Sequence, residues 1–237
     1  MLAGRVAQHR APSDVDAVTS VAPEEAGGRR TPSLPACDDD GASRAGVELR
    51  ATMAARQHTS PKRLVEPGPD ADQIESLFCA AATAPDHGRL VPWRFVIVPA
   101  DQRARLAEAF ALALIDRDPG ATLVQIEAAR LKAWRAPWIA LAIARLRDDE
   151  RDADAVPAAE RLVSLGAALQ NLLLAAHSMG FGSGLTSGRA MDSARLRGLF
   201  GVQPQEQAVC FVNVGTVVGR RPVSPRPAPA RFVSCLS

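Results

Sequence analysis

The residues best suited to holding a planar, polar ligand are gathered in the stretch Ala84-Pro85-Asp86-His87-Gly88-Arg89-Leu90-Val91-Pro92-Trp93-Arg94-Phe95. Two prolines and a glycine fix a turn there, and such a turn can present a histidine, an arginine and a tryptophan together. The same residues would also make a surface turn anchored by a buried Trp. Other chemistry has little support. The four histidines, His9, His58, His87 and His177, are dispersed with no pair at ligand spacing, so no metal site is expected. Cys37, Cys79, Cys210 and Cys235 form no CxxC pair, and Cys79 and Cys210 sit in apolar patterns where a thiol acts as a small hydrophobe. There is no P-loop, HExxH helix or GxSxG elbow. Gly180-Phe181-Gly182-Ser183-Gly184 follows a long helix rather than a strand, the wrong order for a Rossmann dinucleotide turn.

The elements around these residues follow from periodicity. Ile74, Leu77, Phe78, Ala81 and Ala82 recur at helical spacing within a helix expected from Asp70 to Thr83, and Phe95-Val96-Ile97-Val98 reads as a buried strand. Before them, Val47, Leu49, Ala51, Met53 and Ala54 mark a short helix, linked onward through Glu66-Pro67-Gly68-Pro69. Helices near 101–116 and 122–134 are separated by Asp118-Pro119-Gly120. Trp138 to Ala144 reads as a second buried strand, and Arg145 to Asp154 as a solvated loop. Residues 158–179 form the longest helix, apolar nearly all round and therefore buried in a core or a subunit interface. A Gly-rich segment, a short helix near 192–199 and a strand from Ala208 to Val218 follow. Strands and helices mix without a regular alternation, which predicts an α+β fold.

Composition narrows the function classes. A chain of 237 residues with 47% apolar residues can bury one sizeable core. A net charge of +2, with the arginines spread out and no tyrosine, gives no basic stripe or stacking platform for nucleic acid. Ser164, Gln170 and Asn171 interrupt the long helix before it reaches a membrane span. No secretory signal is visible, and the scattered cysteines suit a reducing cytoplasm. Residues 1–44 are rich in Ala, Pro, Gly, Arg, Asp and Ser, include Asp38-Asp39-Asp40, and read as a disordered or non-native extension before a domain at 45–237.

Three separated stretches, taken together, resemble the FMN-dependent nitroreductase family, its compact bacterial NAD(P)H type in particular. They are Arg56-Gln57-His58-Thr59-Ser60-Pro61-Lys62-Arg63-Leu64-Val65-Glu66-Pro67, then Thr83-Ala84-Pro85-Asp86-His87 through Pro92-Trp93-Arg94-Phe95, then Gly180-Phe181-Gly182 through Thr186-Ser187-Gly188. The likeness spans residues 46 to 218 and includes Gly166 and the Gln170-Asn171 pair.

The resemblance implies a homodimer built on a central mixed or antiparallel sheet flanked by helices, with FMN in clefts between the chains. It implies that Arg56, Gln57 and His58 lie beside the FMN phosphate and ribityl chain, where a guanidinium suits phosphate. It places Thr83 and His87 against the flavin of the partner, and Thr186, Ser187 and Gly188 at a third FMN contact. Ala176, His177, Ser178, Met179, Gly180 and Phe181 match a segment assigned to the nicotinamide cofactor. The implied activity passes a hydride from NADH or NADPH to FMN and on to a nitroaromatic, quinone or similar small acceptor. No side chain then needs to act as nucleophile or general acid. A flavin-binding protein with little turnover, or dehalogenation, enone reduction or flavin destruction, are the alternatives. His58, Thr83, Leu185 and Thr186 depart from the family's usual residues, and Arg220 and Arg221 are candidates to restore the lost charge.

Overall fold

The computed structural model describes residues 43–147, 156–219, 222 and 225–236. Residues 39–225 form one compact unit. The described residues after Pro225 belong to a separate unit and hold a single 3-10 turn, Pro229–Arg231. Most of the expected 1–44 extension and of the 145–154 loop, and both Arg220 and Arg221, lie outside the described residues.

Local sequence sets the helix boundaries. Ser43 caps α1 (Arg44–Ala55) by accepting from the Gly46 N–H at 3.2 Å. Capping boxes start α2 (Ala71–Ala82), through Asp70 and Gln73, and α4 (Leu123–Arg130), through Thr122 and Gln125. Between them α3 (Arg103–Arg117) ends just before Asp118-Pro119-Gly120. A 3-10 turn, Leu131–Trp134, extends α4 toward the sheet. The long α5 (Ala158–Ser178) and the short α6 (Ala194–Phe200) complete the helices.

Five strands form one antiparallel sheet: β1 (Leu64–Val65), β2 (Trp93–Ile97), β3 (Trp138–Arg145), β4 (Gly182–Thr186) and β5 (Glu206–Val217). β5 is the longest and pairs with β1, β3 and β4, while β2 is added outside β3. β3 is buried along nearly its whole length, which is why its sequence is apolar without alternation. Its alternate residues still face different layers. Ile139, Leu141 and Ile143 join a core with Leu106, Leu196 and Phe211, whereas Ala140, Ala142 and Ala144 join Leu77, Leu165 and Leu172 of α2 and α5.

Two expectations are corrected. Phe95-Val96-Ile97-Val98 is not a fully buried strand: β2 is half-buried, with Ile97 41% exposed, because it has a neighbour on one side only. The Gly-rich segment contains a strand, β4, whose glycines hid it from a reading based on β-propensity.

Candidate functional site

The first and third stretches meet beside β4. α1 ends as the backbone of Arg56 turns extended, and the chain then runs along β4, where Thr59 N–H donates to the Ser183 carbonyl at 2.8 Å. His58 and Ser183 form a parallel bridge. Gly184 permits this approach, since a Cβ there would lie 2.9 Å from His58 Cε1 and collide with the Thr59 carbonyl. Gly188 has open space where its Cβ would be.

This junction forms one side of a cavity of about 690 Å³, a size suited to a small molecule or cofactor. His58, Thr186, Ser187 and Gly188 line it together. The buried Asn213, 3% exposed, donates to Thr186 Oγ1 at 3.0 Å and to the Gly184 carbonyl at 3.2 Å. Thr186 thus accepts from within the fold, which leaves its O–H to donate elsewhere. Leu106, Phe110 and Leu114 of α3 supply an apolar wall.

Arg117, Lys132 and Arg135 also line the cavity, and no Asp or Glu does. Burial and the nearby Arg135 and Arg117 guanidinium groups lower the Lys132 ammonium below the usual lysine value. These cations and Asn213 were not picked out from sequence. The i, i+3 spacing of Lys132 and Arg135 at the end of a helix pattern was the available signal. Only the packing of α3 and α4 shows that they share a wall.

The remaining sequence candidates are elsewhere in the chain. Arg56 and Gln57 are half-buried just before His58 but do not line the cavity. Thr83, at the end of α2, donates to the Ala80 carbonyl at 2.8 Å and accepts from Asn171 at 3.0 Å. His87 lies 2.8 Å from Glu160 at the start of α5, and the pair is largely exposed. Neither Thr83 nor His87 lines the cavity, and none of Ala176 to Phe181 does. Ala176 has 0% exposure in the core against the sheet, so it has no surface to offer a nicotinamide within this chain. His177 and Ser178 end α5, where Ser178 Oγ donates to the Ala175 carbonyl at 2.9 Å, and Met179, Gly180 and Phe181 lead on into β4.

In the turn from Ala84 to Phe95, His87 lies in a 3-10 turn, His87–Arg89, while alternation along β2 sends Trp93 and Arg94 to different partners. Trp93 packs against Phe95 at 5.8 Å and donates to Ser164 Oγ at 3.2 Å, whereas Arg94 forks onto Glu206 at 2.8 Å. That ion pair lowers Glu206 below the usual carboxylate range and raises Arg94, the Arg94 hydrogen bonds being the main cause. The exposed part of the turn holds the backbone outliers, with Arg89 at φ 56° and Val91 at φ 45°. Val91 N–H donates to Asp86 Oδ2 at 2.6 Å across it.

Comparison with known proteins matches residues 55–216 to the nitroreductase family. The chain belongs to that family. It is 32% identical over 157 residues to the "Putative NAD(P)H nitroreductase" of Haemophilus influenzae, covering 66% of this chain and 83% of that protein. It is 31% identical over 157 residues to YdjA of Escherichia coli, which carries the same name, covering 66% and 82%. The fold agrees with solved structures at lower identity. A nitroreductase-like family protein of Bacillus cereus superposes with a TM-score of 0.68 at 15% identity, over 79% of this chain and 95% of that one. A nitroreductase with bound FMN from Bacteroides fragilis superposes with a TM-score of 0.57 at 18% identity, over 80% and 99%. This nitroreductase-family chain is thus an α+β oxidoreductase. Among the described residues no helix is long and apolar enough to cross a membrane.

Proposed function

We propose that the protein is an FMN-dependent NAD(P)H oxidoreductase whose cofactor occupies the cavity beside β4. The observation that carries this is the meeting of His58 with Thr186, Ser187 and Gly188, two separate stretches of sequence, on one cavity of cofactor size. The donor set fits a flavin mononucleotide. His58 and the Thr186 hydroxyl offer polar contacts, and the open backbone at Gly188 admits a flat ring. Arg56 and Gln57 precede that wall and are assigned, with His58, to the phosphate and ribityl chain. Bound FMN would supply hydride acceptance from NADH or NADPH and delivery of the electrons to a nitroaromatic, a quinone or a similar small acceptor. The chain's part is to bind, orient and exclude water, which is why no general acid or nucleophile is assigned.

We further propose a cytoplasmic homodimer in which Thr83 and His87 reach the partner's flavin. Their position away from this chain's cavity supports that assignment. So does α1, which buries no residue of its own and exposes Val47, Leu49 and Met53 at 36%, 52% and 45%. The segment Ala176 to Phe181 is assigned to the nicotinamide cofactor only through residues other than Ala176. Titration of purified protein with FMN tests the reading: flavin fluorescence should be quenched with saturable stoichiometry, and absence of binding would refute it. Sedimentation of the FMN-bound protein as a stable monomer would refute the dimer. Reduction of bound flavin by NADH or NADPH at turnover rates separates an enzyme from a flavin carrier.

A further inference from the structure

The helices closing the cavity carry a graded stripe. On α3, Leu106, Phe110, Leu114 and Arg117 follow one another at helical spacing, from a residue 1% exposed to an exposed guanidinium. Lys132 and Arg135 reach the same cavity from the turn after α4. Nearby, Arg130 pairs with Glu108 at 2.9 Å, Arg195 pairs with Asp116 at 2.8 Å, and Arg103 donates to the Ala133 and Pro137 carbonyls, while Arg189 is a further cation lining the cavity. Arg117, Lys132 and Arg135 make no ion pair or side-chain hydrogen bond among the described residues. Burial first, and then the neighbouring Arg135 and Arg117, lower the Lys132 ammonium from its usual value. Cations held together without a counter-charge favour any ligand that brings one.

We propose that this wall selects an electron acceptor bearing its own anionic group, an aromatic carboxylate being the simplest class. The aromatic body would lie on Phe110 and Leu114, and the anion at Arg117, Lys132 and Arg135. This rests on the flavin reading above, in which the cofactor's phosphate is assigned to the segment Arg56 to His58, whose His58 lines the cavity away from these cations. A hydrophobic pocket alone would not distinguish an acid from its ester by charge. A cationic wall with no carboxylate would, and the preference should weaken as salt screens it.

The test compares 4-nitrobenzoate with its methyl ester, which keeps the nitroarene, adds one methyl group and lacks the charge. FMN-loaded protein should show a kcat/KM for the acid about ten-fold or more above that for the ester, consistent with a charge-assisted contact. Calorimetry without any electron donor should show the same preference in binding. In the variant R117Q/R135Q the acid-to-ester ratio should fall toward unity, mainly through KM, with FMN content per chain retained. Equal handling of acid and ester by the unmodified protein would overturn the inference, as would a ratio unchanged in the variant. Loss of FMN from the variant would also overturn it, since the cations would then be serving the cofactor. If the unmodified protein binds no FMN, the flavin reading fails by itself. Calorimetry on that flavin-free protein still decides the wall, with a preference for the acid supporting it and no preference refuting it.

Discussion

The two faces of the sheet are built from the same strand and do opposite things. Toward α2 and α5, β3 presents Ala140, Ala142 and Ala144, each fully buried, and the small side chains let Leu165, Leu169, Leu172 and Leu173 settle directly on the strand. Toward α3 and α6 it presents Ile139, Leu141 and Ile143, and beyond Ile139 and Phe211 the layer opens into a cavity edged with uncompensated cations. One face is filled and neutral. The other stores free volume and charge where a ligand can use both. The difference teaches that a conspicuous motif need not line the cavity: Pro92-Trp93-Arg94-Phe95 is largely absorbed in packing and an ion pair.

Mutations on each face should separate stability from ligand binding. The largest effect is expected from Leu172→Ala on the filled face, where a fully buried leucine leaves a cavity against the alanines. Urea denaturation should show a loss of about 2–5 kcal/mol, with FMN affinity little changed while the protein stays folded. Gly184→Ala attacks the open face. Its new methyl must displace His58 or the Thr59 backbone, costing about 1–3 kcal/mol as an overpacked site and releasing flavin on gel filtration.

Arg94→Gln tests the edge between the faces. The Arg94 side chain is 36% exposed, so solvent screening reduces its contribution and a loss on the order of 1–2 kcal/mol is expected at neutral pH. Because Glu206 is held below the usual carboxylate range in the folded state, this contribution is present above the unfolded value and lost as pH falls through the folded one. Denaturation across an acid series should therefore show parent and variant converging below the ordinary glutamate range. The smallest effect is expected from Thr186→Val, which removes one hydroxyl from the cavity wall. Flavin titration should show affinity weakened by roughly 2- to 10-fold, the scale of a single hydrogen bond.

Strong helical periodicity made much of the filled face legible in sequence. The helix expected from Asp70 to Thr83 is α2, and the one at 158–179 is α5, each within a residue or so of its ends. β4 was not legible, because Gly182 and Gly184 are poor strand formers and the strand exists through pairing with β5 and contact with His58. The site was legible only in part. His58, Thr186, Ser187 and Gly188 were found through the family resemblance. The cationic wall was not, because Arg117 belongs to one helix and Lys132 and Arg135 to the turn after another, so only their packing brings them to one cavity.

The central claim, that the open face holds a working flavin, is tested most directly by the visible spectrum of FMN-loaded protein before and after anaerobic addition of NADH or NADPH. The account predicts a bound-flavin absorbance that bleaches within the time of a turnover and returns when an acceptor is added. A protein that remains colourless after incubation with FMN, or whose bound flavin neither donor reduces, would contradict it.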